Sequence, residues 1–149
     1  MQDIPVFGTR VDGWPHVLRP SAYALVRNTA GELAVVRTPR GCFLPGGGIE
    51  SGESPEQAID RESKQECGLA LDPAGLLGRA VEYVYSPLEK ACFEKASAFF
   101  EARVTEVVTA REPDHHLVWM NLDSAIDALS CESHRWAVRR LMEHIQMTP

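Results

Sequence analysis

The stretch from Leu44 to Leu69, LPGGGIESGESPEQAIDRESKQECGL, constrains this chain more than any other. Three consecutive glycines, Gly46 to Gly48, are followed by glutamates at positions 50, 53, 62 and 66, and Gly68 closes the segment. Ser54 can cap a helix, Pro55 suits its first position, and Gln57 completes a Ser-x-x-Gln capping box. Gly68 supplies the stop, so the pattern predicts a helix over 55–67. Within it Glu62, Gln65 and Glu66 stand three and four residues apart and cluster on one face. Such a row of acids repels itself unless something positive lies among it. A glycine-rich loop leading into that helix suits a divalent cation and the phosphates it carries.

The rest of the chain is read around that segment. A length of 149 residues fits one domain spanning 1–149, with 44% hydrophobic and 24% charged residues as in ordinary globular chains. Residues 1–20 hold Pro5, Gly8, Gly13, Pro15 and Pro20 and read as an arm or short edge strands. Ser21–Asn28 and Leu33–Arg37, separated by turn residues, read as a hairpin. Leu77–Tyr85 and Lys95–Val104 read as strands, and Leu117–Met120 as a short buried one. Asp123–Leu129, capped by Asp123, and Ser133–Ile145 read as helices. Strands interleaved with helices imply an α/β fold with a mixed sheet covered by helices.

Charge and cysteine usage narrow the function classes. A net charge of −6 disfavours binding to nucleic-acid backbone, which needs clustered Lys and Arg. Cys42, Cys67, Cys92 and Cys131 are scattered, with neither zinc spacing nor a disulfide framework, and imply reduced thiols and a cytoplasmic location. No signal peptide and no apolar run of about 20 residues is evident, so no membrane association is expected.

The segment around the glycines resembles the Nudix hydrolase signature: Gly, five residues, Glu, seven residues, Arg-Glu, an aliphatic, any residue, Glu-Glu, any residue, Gly and an aliphatic. Gly47, Glu53, Arg61, Glu62, Glu66, Gly68 and Leu69 match, which is seven of nine specified positions. The resemblance implies an α/β/α sandwich and a pyrophosphohydrolase that uses Mg²⁺ or Mn²⁺ and water to cleave a diphosphate linkage in a nucleotide-type small molecule. It also implies roles. Glu66 is the foremost metal ligand, Glu62 a ligand or general base, and Gly46 a ligand through its carbonyl, whereas Arg61 paired with Glu53 braces the loop against the helix. Gly47 and Gly68 are structural. Some members take a further acid from a loop before the last strand, and Glu112 stands where it could serve; a solvated loop carboxylate is the plainer alternative.

Two positions depart from the signature. Ser63 replaces an aliphatic residue, and Gln65 replaces the first glutamate of the pair, so an amide stands where a charged metal ligand is expected. A unit charge about 4 Å from a divalent ion is worth roughly 8 kcal/mol of gross attraction at a dielectric near 20. Fewer or weaker metals are therefore expected if Gln65 lies in the metal shell, and a nucleotide-binding module without turnover is the rival reading.

Outside the signature, Tyr85 and Phe93 could stack on a base, and Arg37, Arg40, Lys90 and Lys95 could contact phosphate. Each has a blander reading as core aromatic or solvated charge. The adjacent pair His115–His116 makes a poor chelate, because neighbours on a strand point to opposite faces. A homodimer is allowed, though nothing in the sequence specifies one.

Overall fold

The computed structural model describes residues 3–147. The chain order is β1 (Val6–Phe7), β2 (His16–Val26), β3 (Leu33–Thr38), β4 (Gly41–Phe43), β5 (Gly46–Gly48), α1 (Pro55–Cys67), β6 (Leu69–Ser86), β7 (Ala91–Val107), β8 (His116–Met120), α2 (Leu122–Ala128) and α3 (Glu132–Met147). A five-stranded mixed sheet runs β1-β6-β7-β2-β5, and a three-stranded antiparallel sheet runs β4-β3-β8. The mixed α/β architecture expected from the sequence is present, and the second sheet is an addition to it.

β2 and β3 explain why two helical layers are needed. Along β2 the residues from Ser21 to Val26 are all buried, and so are Leu33 to Val36 of β3. Successive strand side chains point to opposite faces. Tyr23, Leu25, Leu33 and Val35 therefore enter one core with Phe99, Leu129, Val138 and Leu141, under α2 and α3. Ala22, Ala24, Val26, Ala34 and Val36 enter a second core with Ile59 and Cys67 of α1. Strands buried on both faces read as continuous apolar runs.

Four sequence expectations are corrected. The hairpin of β2 and β3 does not form: the turn is there, with the Asn28 side-chain oxygen accepting from the N–H groups of Ala30 and Glu32, but the strands separate after the single bridge Arg27–Leu33. β2 instead pairs in parallel with β7 from His16 to Val26, because each strand needs cover on both sides. Residues 16–20 therefore belong to a long strand rather than to an arm. The two later strands are longer than expected and form one bulged antiparallel ribbon, Leu69–Ser86 against Ala91–Val107. α2 is capped by Asn121, whose side chain accepts from Ser124 N–H, while Asp123 lies in its first turn.

Candidate active site

The helix α1 begins as the sequence requires. Ser54 accepts from the Gln57 N–H at 3.1 Å, and Gln57 accepts from the Ser54 N–H at 2.8 Å. It ends on Gly68 at φ 71°, where a Cβ would meet the Val108 carbonyl oxygen at 2.4 Å. Its strongest local network is built on Arg61. The guanidinium donates to both Glu53 oxygens at 2.7 and 2.9 Å, to the Gly48 carbonyl at 3.0 Å, and to Glu62. Glu53 is held well below the usual carboxylate range, at about 2, first by its hydrogen bond with Arg61 and then by the Glu50 N–H. Arg61 thereby ties the glycine segment to the helix and fixes one oxygen of Glu62.

The glycines are required by contact as well as by conformation. Gly46 has φ 140°, and a Cβ there would lie 2.1 Å from the Ala22 carbonyl oxygen, since β5 runs directly against β2. A Cβ on Gly47 would stand 3.1 Å from the Glu62 carboxylate. The Gly46 N–H donates to Glu66 Oε1 at 3.1 Å. Burial is the main cause that pushes Glu66 up to about 8, with the charges of Glu62 and Glu112 adding to it, while the Gly46 hydrogen bond and Arg61 oppose it.

Glu62, Glu66 and Gly46–Gly48 line one cleft of about 630 Å³. Arg40, Lys95, Tyr85 and Phe93 line the same cleft, so the structure brings these expected residues together. Tyr85 stands edge-on to Trp14 at 4.7 Å between ring centroids, and Arg19 lies over the Phe93 ring at 4.4 Å. Arg19 and Tyr23 also line it and were missed, and so does His115, which the sequence offered only as half of a poor chelate. The period-2 signal could have found two of them: Arg19 and Tyr23 share a β2 face, and Arg19 is in register with Lys95.

Four expected residues lie elsewhere, one of them Lys90, which does not line the cleft. Arg37 is exposed on β3 and does not line the cleft. Gln65 borders a separate depression with Gln57, Asp60, Lys64 and Arg111. Its backbone carbonyl accepts from the N–H groups of Arg111 and Glu112. Glu112 does not line the cleft, yet its charge acts on Glu66, and one of its oxygens lies 3.0 Å from Nε2 of His115. Nδ1 of His115 is buried without a partner.

Among the described residues, no three His, Cys, Asp or Glu side chains converge to hold a metal by themselves. The donors do fit a hard cation that keeps water and phosphate oxygens in its shell: two carboxylates, one of them held near neutrality by burial, beside a backbone strand of glycines. None of the four cysteines is in a disulfide, and no helix is long and apolar enough to cross a membrane.

Fold and site define an α/β protein in which an acidic helix and a glycine strand meet at one cleft. The family model described as the NUDIX domain matches residues 17–144, and the chain belongs to that family. An ADP-ribose pyrophosphatase from Methanocaldococcus jannaschii is 52% identical over 40 residues, covering 26% of this chain and 24% of that protein. An 8-oxo-(d)GTP phosphatase from Mycolicibacterium smegmatis is 27% identical over 96% of this chain and 47% of its own length. The chain thus spans about half or less of these relatives. Among solved structures, a MutT protein from Methanosarcina mazei Go1 superposes with a TM-score of 0.67 at 22% identity, covering 90% of this chain and 98% of that one. A C. elegans Ap4A hydrolase gives 0.67 at 18% identity over 86% and 98%.

Proposed function

We propose that the chain hydrolyses a diphosphate linkage in a nucleoside diphosphate joined to another group, with Mg²⁺ or Mn²⁺ and water. The carrying observation is that the Glu62 and Glu66 carboxylates line one cleft with the three glycines. The two relatives are named for ADP-ribose and 8-oxo-(d)GTP, both nucleotides that contain a diphosphate linkage, and only that shared feature is carried over. A divalent cation would be held by Glu66 and the Gly46 carbonyl, with Glu62 as a further ligand or as the base, and would supply charge neutralisation and Lewis acidity.

The chain's own groups divide the remaining work. Arg61 fixes Glu62, leaving that carboxylate beside Gly47 to accept the proton of the attacking water. Glu66, buried and anchored by the Gly46 N–H, is the group that would have to lose its proton to hold a cation. His115, whose Nε2 lies against Glu112, lines the cleft with the pair. Tyr85 and Phe93 offer ring faces to a base, and Arg40 a fork to phosphate. The rival reading, a nucleotide holder without turnover, leans on Gln65; the placement of that amide beside a separate depression favours turnover.

The test is a panel of nucleoside triphosphates, dinucleoside polyphosphates, ADP-ribose and nucleotide sugars with Mg²⁺ or Mn²⁺. Glu66→Gln and Glu62→Gln are each expected to lower kcat by at least about a hundredfold, the range for removing a positioned base or charge stabiliser. Undiminished turnover in both variants would sink the site, and inactivity of the native chain on every substrate would move the reading to the nucleotide holder.

A further inference from the structure

Lys95 is the one lysine that lines the cleft. It sits in mid-strand on β7, and its neighbours in register are Arg19 on β2 and Glu82 on β6. Partners in register point to the same face of a sheet, so Glu82 is the carboxylate placed to neutralise it. Glu82 is committed elsewhere. Its Oε1 accepts from the Ser133 N–H at 2.9 Å and the Ser133 hydroxyl at 2.6 Å, and its Oε2 accepts from the Glu132 N–H at 3.3 Å. The start of α3 has taken the acid, and a negative group suits that helix end.

Lys95 is therefore half-buried, and among the described residues it makes no ion pair with a carboxylate. Its ammonium lies 5.8 Å from the Tyr23 ring centroid. Tyr23 is in register with Gly46, so the amine stands against the wall that carries the glycine strand and faces the chamber where Glu66 lies. Burial works to discharge the amine, but the Tyr23 hydroxyl and the nearby Glu82 outweigh it and keep the charge on. A half-buried cation without a counter-ion is costly unless an anion reaches it. Of the cleft's three glutamates, Arg61 holds Glu62 and the Gly46 N–H holds Glu66, and among the described residues none of the three, Glu89 included, pairs with Lys95.

We propose that the Lys95 ammonium binds a non-bridging phosphate oxygen of the diphosphate that the cleft takes. This rests on the diphosphate reading above but not on turnover. It assigns the floor of the cleft a cation fixed to the sheet, distinct from any ion carried by the helix glutamates. Arg19 and Arg40 are more exposed and serve the mouth of the cleft.

The experiment titrates inorganic pyrophosphate with Mn²⁺, and Mn²⁺ alone, into the native chain, Lys95→Met and Arg103→Met. Calorimetry is accompanied by melting curves and by kinetics on the nucleotide panel. Methionine keeps the stem that packs on Tyr23 and drops the charge. Arg103 lies eight residues along the same strand, about 26 Å away, and controls for net charge. Lys95→Met is expected to weaken the Mn²⁺-pyrophosphate affinity and raise KM by about ten- to a hundredfold, the size for a charge-assisted hydrogen bond. Affinity for Mn²⁺ alone and the melting temperature should hold, and Arg103→Met should match the native chain. Equal pyrophosphate affinity in native and Lys95→Met protein overturns the proposal, as does a loss shared equally by Arg103→Met, a parallel drop in Mn²⁺ affinity and Tm, or no pyrophosphate binding by the native chain. Lys95-dependent binding without hydrolysis of any substrate would uphold Lys95 and remove the hydrolase reading; hydrolysis with KM unchanged in Lys95→Met would do the reverse.

Discussion

Gln65 and Glu66 are adjacent, yet the helix gives them different surroundings. One residue is about 100° of rotation on an α-helix, so Glu66 faces the glycine strand while Gln65 borders Lys64 and Arg111. Spacing along the sequence put both with Glu62 because i+3 and i+4 neighbours share a broad face, and only the packing of α1 on β5 decides which part of that face is covered. Restoring the family's carboxylate by Gln65→Glu is expected to change kcat and Mn²⁺ affinity by less than about threefold, because the new charge has Arg111 and Lys64 beside it and solvent to screen it. Kinetics against metal concentration check this, and a tenfold tightening would put position 65 back in the metal shell. The departure from the signature that stands out in the sequence thus lies beside a separate depression rather than in the cleft. Lys95, which no motif marks, lines the cleft itself.

At the scale of elements, legibility follows the range of the interactions that decide. α1 could be read to its end residues, because its cap, its proline and its αL glycine act within four residues of themselves. The partner of β2 could not, because β7 lies some 75 residues away and only burial on both faces tells against a local hairpin. Tyr23 and Arg19 entered the site through that unread pairing, whereas Glu62, Glu66 and Gly46 entered through the legible glycine segment and helix, and Lys95 was already a candidate for phosphate. The cap also yields a test that separates the helix's stability from its chemistry. Ser54→Ala removes the box and should cost about 1 kcal/mol, or about 3 °C in Tm. Glu62 and Glu66 lie two and three turns farther on, held by Arg61 and Gly46, so kcat should fall by less than about twofold. Melting curves and steady-state kinetics measure both, and a kcat loss as deep as that of Glu66→Gln would show that the first turn reaches the chemistry.

Across the whole molecule, two buried groups set opposing responses to pH. His134, fully enclosed between Tyr23, Phe43 and Phe99, accepts from the Leu44 N–H at 3.2 Å and so ties α3 to the segment entering the glycines. Burial, with a smaller contribution from Lys95, lowers it from 6.5 to about 3. Between those values the unfolded chain binds the extra proton, so stability is lost as pH falls from 6.5 toward 3. Glu66 is the mirror case: raised from 4.5 to about 8, it binds its proton more tightly when folded, so stability without metal is lost as pH rises from 4.5 to 8. The slopes offset one another between 4.5 and 6.5. With chelator present, Tm should therefore be flat near pH 5 to 6, fall below it through His134, and fall above it through Glu66. With the carboxyl raised to about 8, most of the interval between pH 6.5 and 8 counts, worth about 1.5 kcal/mol, or about 5 °C in Tm. Glu66→Gln should flatten the alkaline limb and leave the acid limb in place. Mn²⁺ should raise Tm most at pH 8, where binding needs to displace the least proton. Melting curves at half-unit steps of pH, with chelator and then with Mn²⁺, decide it: an alkaline limb that survives Glu66→Gln belongs to another group. Because β2 and β3 supply both cores, each curve should show one transition rather than two.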